Sequence, residues 1–151
     1  MRRALCLTLF LVGCGEDVSE TPSVTILEVS PEELDPALDE ADDVTIRVAY
    51  RDGDADLGGG LAEIQDCRAV ELSTVLGLPA IASMAAVGEG VPIEGELTLT
   101  VADVANVVSD ATAPAPCKLL PEPATTTFCV VLVDAAGHRG DADCTPALTL
   151  R

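Results

Sequence analysis

Seven residues, Val44-Thr45-Ile46-Arg47-Val48-Ala49-Tyr50, constrain this chain more than any others. Val44, Ile46, Val48 and Tyr50 fall on one side of an extended backbone, and Thr45, Arg47 and Ala49 on the other. Period-two alternation with β-branched residues is the pattern of a strand with one buried face. Similar signals recur. Ser23 to Val29 and Glu94 to Val104 read as strands, as does Thr126 to Asp134. Leu61 to Leu72 is a weaker strand, with Leu61, Ile64 and Cys67 poorly in register, and Asp141 to Leu150 reads as a last strand. Ser73 to Gly88 is apolar and Ala-rich, and Pro79 is placed to start a short helix over 79–87. No long amphipathic helix is evident, and turn residues are frequent. At least six short strands therefore predict an all-β chain folded as a β-sandwich.

Composition fits that plan. The chain has 151 residues at a net charge of −18. Such a surface repels nucleic-acid phosphates and anionic lipid head groups, and it attracts cations. Aromatic residues make up only 2%, so the anchors on which sugar-binding sites and tight protein interfaces rely are scarce. The core must come from Val, Leu, Ile and Ala.

The first residues have a different character. Met1-Arg2-Arg3 precedes an apolar run from Ala4 to Val12, and then Gly13-Cys14-Gly15. A charged start, a short apolar run and a small residue at a cut site are the order of a secretory signal. The run is too short to cross a bilayer, which takes about 20 residues. Leu11-Val12-Gly13-Cys14 resembles the lipobox of bacterial lipoproteins. That resemblance implies a signal peptide at 1–13, diacylglycerol on Cys14, a lipidated tether at 14–22 and a domain at 23–151. Cys6 has too little apolar sequence before it to be the lipidated residue. Two acyl chains, at about 0.8 kcal/mol per buried CH₂, suffice to hold a protein on a membrane. Because Gly15 replaces the Asp of an inner-membrane retention signal, the resemblance points to the outer membrane of a cell envelope. Removing the leader takes away Arg2 and Arg3 and no acid, leaving −20. The succession of a strand, Asp52 to Gly58 (DGDADLG) and a late strand ending VDAAGH resembles bacterial immunoglobulin-like domains of exported proteins. The Ala-rich stretch at 73–88 departs from that pattern.

Beyond Cys6 and Cys14, four cysteines remain: Cys67, Cys117, Cys129 and Cys144. In an exported chain an even number implies disulfides, and four cysteines allow three pairings. If 126–134 and 141–150 form a hairpin turning at Ala136-Gly137, positions summing to 273 face each other. Cys129 and Cys144 do so, which leaves Cys67 for Cys117.

Asp52, Asp54 and Asp56 alternate in a Gly-rich segment. Such residues suit a solvated turn. They also suit calcium, which takes 6 to 8 oxygen ligands. An EF-hand is not expected. Glu63 occupies its twelfth position, but the sixth, where Gly is needed, holds Leu57, and no helices flank the loop. A site at the end of a sandwich, joined by Asp134, Asp141 or Asp143 from another loop, fits better.

No catalytic motif is present. The chain lacks a Gly-x-Ser-x-Gly elbow, a His-Glu-x-x-His pair and a phosphate-cradling loop. His138, the single histidine, lies in an expected exposed turn. The sequence thus points to a non-enzymatic binding or structural domain, lipid-anchored and facing an envelope or surface protein partner. A calcium-dependent ligand-binding or adhesion module using Asp52, Asp54 and Asp56 is the alternative. A hydrolase ranks far below both.

Overall fold

The computed structural model describes residues 19–34, 42–79, 91–104, 112–119 and 121–151. Cys14 and most of the 79–87 helix expectation lie outside them. The described residues form ten strands and no helix: β1 Ser23–Ser30, β2 Glu33–Leu34, β3 Asp42–Asp52, β4 Leu61–Asp66, β5 Ser73–Gly77, β6 Ile93–Val104, β7 Thr125–Thr126, β8 Phe128–Val133, β9 Asp143–Cys144 and β10 Leu148–Leu150. One sheet has the order β1-β3-β6 and a second the order β5-β4-β8-β9. A small third sheet, β2-β10-β7, is separate from both.

The first two sheets enclose the core. From β3, Val44, Ile46, Val48 and Tyr50 are all buried, as the alternation requires. They meet Ala62 and Ile64 of β4, and Phe128, Val130 and Leu132 of β8, in one apolar cluster. Burying each larger aliphatic side chain contributes about 1.5–3 kcal/mol. The outward Arg47 sits between Glu28 of β1 and Glu96 of β6, at 2.9 Å from each. Tyr50 lies opposite Gly95 in the β3–β6 register. A side chain at Gly95 would press on the Tyr50 ring, so the glycine leaves room for the core's one tyrosine.

Two expectations need correction. The strand expected over Leu61 to Leu72 stops at Asp66, its inward residues being Ala62 and Ile64, while Leu61 points outward and is exposed. The chain from Asp141 to Leu150 is not one strand. It pairs with β8 only at Asp143 and Cys144, then crosses to the third sheet, where Leu148 and Thr149 pair with Thr126 and Thr125. Pro146, which has no N–H to give a ladder, lies at the break.

The cysteines form the pairs Cys67–Cys117 and Cys129–Cys144. Cys129 faces Cys144 and Val130 faces Asp143, both sums being 273. Nearer the turn, Val133 bridges Arg139, one residue out of that register, and the extra residue lies between Arg139 and Asp143. Loop-closure entropy puts the stabilisation at roughly 4 kcal/mol for the 50-residue separation and about 3 for the 15-residue one. Cys67 Sγ lies 3.5 Å from Cys129 Sγ, so the disulfides pack against each other. All four sulfurs are covalently paired, which leaves no thiolate for a metal.

The strand directions give the sandwich two poles. One carries the disulfides and the Asp66–Leu72 turn. The other gathers the end of β3, the β3–β4 loop and the β8–β9 turn. The chain enters β1 at this second pole, where Ser23 faces Arg51.

Candidate metal centre

Four carboxylates converge at the second pole. Asp52 is the last residue of β3, and Asp54 and Asp56 follow in the loop to β4. Asp134 comes next after β8. One oxygen from each lies within 4.8 Å of the others. Topology explains the meeting. The β3–β4 loop crosses from one sheet to the other, and β4 begins beside the end of β8, with Leu61 facing Val133.

The loop is fixed from inside. Leu57 is fully buried and plugs the core beneath the cluster. Its amide donates to Asp52 Oδ2 at 2.8 Å. Ala55, at φ 67°, takes the left-handed conformation that lets the chain reverse between Asp54 and Asp56. The Ala135 amide donates to the Asp56 carbonyl at 3.1 Å, and the Ala136 amide to Asp56 Oδ2 at 3.1 Å. Gly60 is packed so closely under β8 that a Cβ there would collide with the Val133 carbonyl. Asp134 is positioned by His138, whose amide donates to Oδ1 at 2.7 Å and whose Nδ1 lies 3.0 Å from Oδ2. The charge of Asp134 raises the His138 pKa.

Three other oxygens of the cluster are buried without a partner. Asp52 is 0% exposed, yet its Oδ1 has no hydrogen-bond partner, and neither do the buried Oδ1 atoms of Asp54 and Asp56. Unit charges at such distances repel by roughly 3–4 kcal/mol per pair at an effective dielectric near 20. Burial, and then the charges of Asp54 and Asp56, push Asp52 up to about 6 against the pull of the Leu57 amide. Burial and Asp134 raise Asp56 in the same direction. A solvated Asp-Gly turn has none of these features. Carboxylates gathered this closely, three of them with a buried unpaired oxygen, could hold a hard cation.

These shifts set a pH dependence for the ion-free protein. The folded Asp52 pKa of about 6 lies above the unfolded value of about 3.9. As pH rises from 4, the unfolded chain releases this proton first, so stability falls until pH passes 6 and then levels. The loss at this residue is up to about 3 kcal/mol. Denaturant melts in a chelator from pH 4 to 7, read as the difference from Asp52→Asn, are expected to show that fall. A flat difference would place Asp52 in a compensated environment.

Of the residues named from sequence, Asp52, Asp54, Asp56 and Asp134 come together. Asp141 and Asp143 do not. Asp143 takes the Ile26 amide at 2.7 Å and the Cys144 amide at 3.0 Å, and Asp141 is exposed in a groove beside Pro22 and Arg139. Glu63 is an ion-pair partner of Arg139. His138 lies in the turn, its side chain 42% exposed, and is tied to Asp134. What the sequence reading missed is a second buried charge, Arg68, paired with Asp66 at the disulfide pole. The weak alternation through Gln65-Asp66-Cys67-Arg68 was its only signal. No family model matches the chain, and neither a curated protein nor a solved structure matches it.

Proposed function

We propose that this chain is a calcium-binding β-sandwich domain on an exported, lipid-anchored protein, acting in binding or envelope structure rather than in catalysis. The observation that carries the calcium reading is Asp52, wholly buried with an unpartnered carboxylate oxygen among three other carboxylates. Calcium is favoured over magnesium because its flexible coordination suits carboxylates drawn from a strand end, a loop and a turn. Magnesium demands near-ideal octahedral geometry and keeps its waters. Calcium sites of extracellular modules bind at roughly 10⁻⁴–10⁻³ M, and four carboxylates place this one at or below that range.

The lipid anchor rests on Leu11-Val12-Gly13-Cys14 after a charged and apolar start. A strand order of β1-β3-β6 against β5-β4-β8-β9 supports the immunoglobulin-like assignment. By this reading the tether enters at the carboxylate pole, so the lipid and the ion share one end of the domain, and the disulfide pole faces a protein partner.

Calcium titration tests the reading. At one hundred times its Kd, an ion that binds only the folded state adds about 2.7 kcal/mol. For a domain of this size that is expected to raise the melting temperature by roughly 10 °C. Calorimetry showing no heat up to 10 mM calcium, with no change in melting temperature, would remove the calcium reading. Mass spectrometry of envelope protein showing an unmodified Cys14 would remove the lipid reading.

A further inference from the structure

Resting on the calcium reading, we infer that the ion is a clasp between the two sheets, so that closure of this pole tracks the calcium around the protein. The ligands divide between the sheets. Asp52 ends β3 of the first, Asp134 follows β8 of the second, and Asp54 and Asp56 ride on the loop that joins them. Among the described residues, hydrogen bonds and the buried Leu57 hold this seam. The β3–β4 loop is tied to the β8–β9 turn by the Ala135 and Ala136 amides on Asp56. Within the loop the Leu57 amide binds Asp52, and within the turn the His138 amide binds Asp134.

Among the described residues no disulfide braces this pole, both being at or toward the other one. Four mutually repelling carboxylates across the seam drive the two sheet ends apart unless a cation neutralises them. One divalent ion reverses the sign of that interaction on both sides at once. Calcium-poor surroundings therefore leave the pole open and calcium-rich ones close it. The disulfide pole keeps the same structure in both.

Hydrogen exchange on the full chain, in a chelator and in 5 mM calcium, tests this. In chelator, residues 57–60 and 134–138 are expected to exchange at least tenfold faster than mid-sheet amides of β3 and β8, and calcium is expected to close that gap on both sides of the seam. The Cys67 amide on the Thr127 carbonyl and the Thr145 amide on the Phe128 carbonyl serve as references at the disulfide pole. Calorimetric binding with protection confined to 52–57, and no change at 134–138, overturns the clasp while calcium binding stands. Equal protection of both poles in chelator also overturns it. Neither heat nor protection overturns both readings. Asp134→Asn supplies the second arm. It is expected to retain weakened binding but lose the calcium-induced protection at 134–138, and unchanged protection there would count against the clasp.

Discussion

Asp52→Asn is expected to weaken calcium binding by about 10–100-fold while making the calcium-free protein more stable, by up to about 3 kcal/mol near pH 7. The two effects have one cause. Asparagine has the same shape, and its oxygen still accepts the Leu57 amide that now binds Asp52 Oδ2 at 2.8 Å. Its amide nitrogen takes the place of the unpartnered Oδ1 and can donate to Asp54 or Asp56, whose Oδ1 atoms also lack partners. Without calcium, a buried charge is exchanged for a neutral group that makes hydrogen bonds, and repulsion from two neighbours disappears. With calcium, one of four anionic ligands is lost. Paired melts of wild type and variant, with and without calcium, measure both effects. In chelator the variant is expected to melt higher, and in saturating calcium the order is expected to reverse or close. Equal calcium affinities would take Asp52 out of the site. A variant less stable than wild type in chelator would mean that the protein itself compensates the carboxylate.

How much of this was legible in sequence depends on what each residue faces. Val44 to Tyr50 reads plainly because β3 buries one side and leaves Thr45, Arg47 and Ala49 only half-buried on the other. The Cys129–Cys144 pair is legible because a two-strand turn fixes which positions face each other, and the one-residue offset at Val133 and Arg139 does not reach the cysteines. β4 is obscure for the opposite reason. It lies between β5 and β8, and Gln65 and Asp66 are buried along with Ala62 and Ile64, so polarity there does not mark the solvent side. The last strand was misread because alternation cannot show a change of sheet.

At the site, the spacing of Asp52, Asp54 and Asp56 was visible, and their convergence was not. Asp134 could be named only as one of three candidates. What selects it is that β8 ends beside the start of β4, a contact between residues 72 positions apart, Leu61 and Val133. The strength of the site, its unpartnered oxygens, is a property of packing that no residue pattern encodes.

The disulfide pole handles a buried charge in the other way, and that contrast bears on the carboxylate pole. Asp66 accepts the Arg68 amide at 3.0 Å, Arg68 Nε at 3.0 Å, Arg68 Nη2 at 2.5 Å and the Thr126 hydroxyl at 2.7 Å. Around it, Gln65 Nε2 donates to the carbonyls of Asp66 and Ala69, winding the Asp66–Leu72 turn about the pair. Arg68 is 1% exposed, and its Nη1 has no partner even with Asp66 in place. Asp66→Ala therefore strands a guanidinium among apolar neighbours and is expected to cost about 3–5 kcal/mol, a large part of a typical domain's stability. Asp66→Leu with Arg68→Met removes both charges and is expected to recover most of that loss. Urea melts of the two single variants and the double variant give the coupling directly. A cost below about 1 kcal/mol for Asp66→Ala would show that water reaches Arg68. Where this chain buries a carboxylate permanently, it supplies an arginine from two residues away. Around Asp52, Asp54, Asp56 and Asp134 the described residues supply only the partly exposed His138, on one acid of four. By the calcium reading proposed above, the ion would bring the positive charge that this pole lacks.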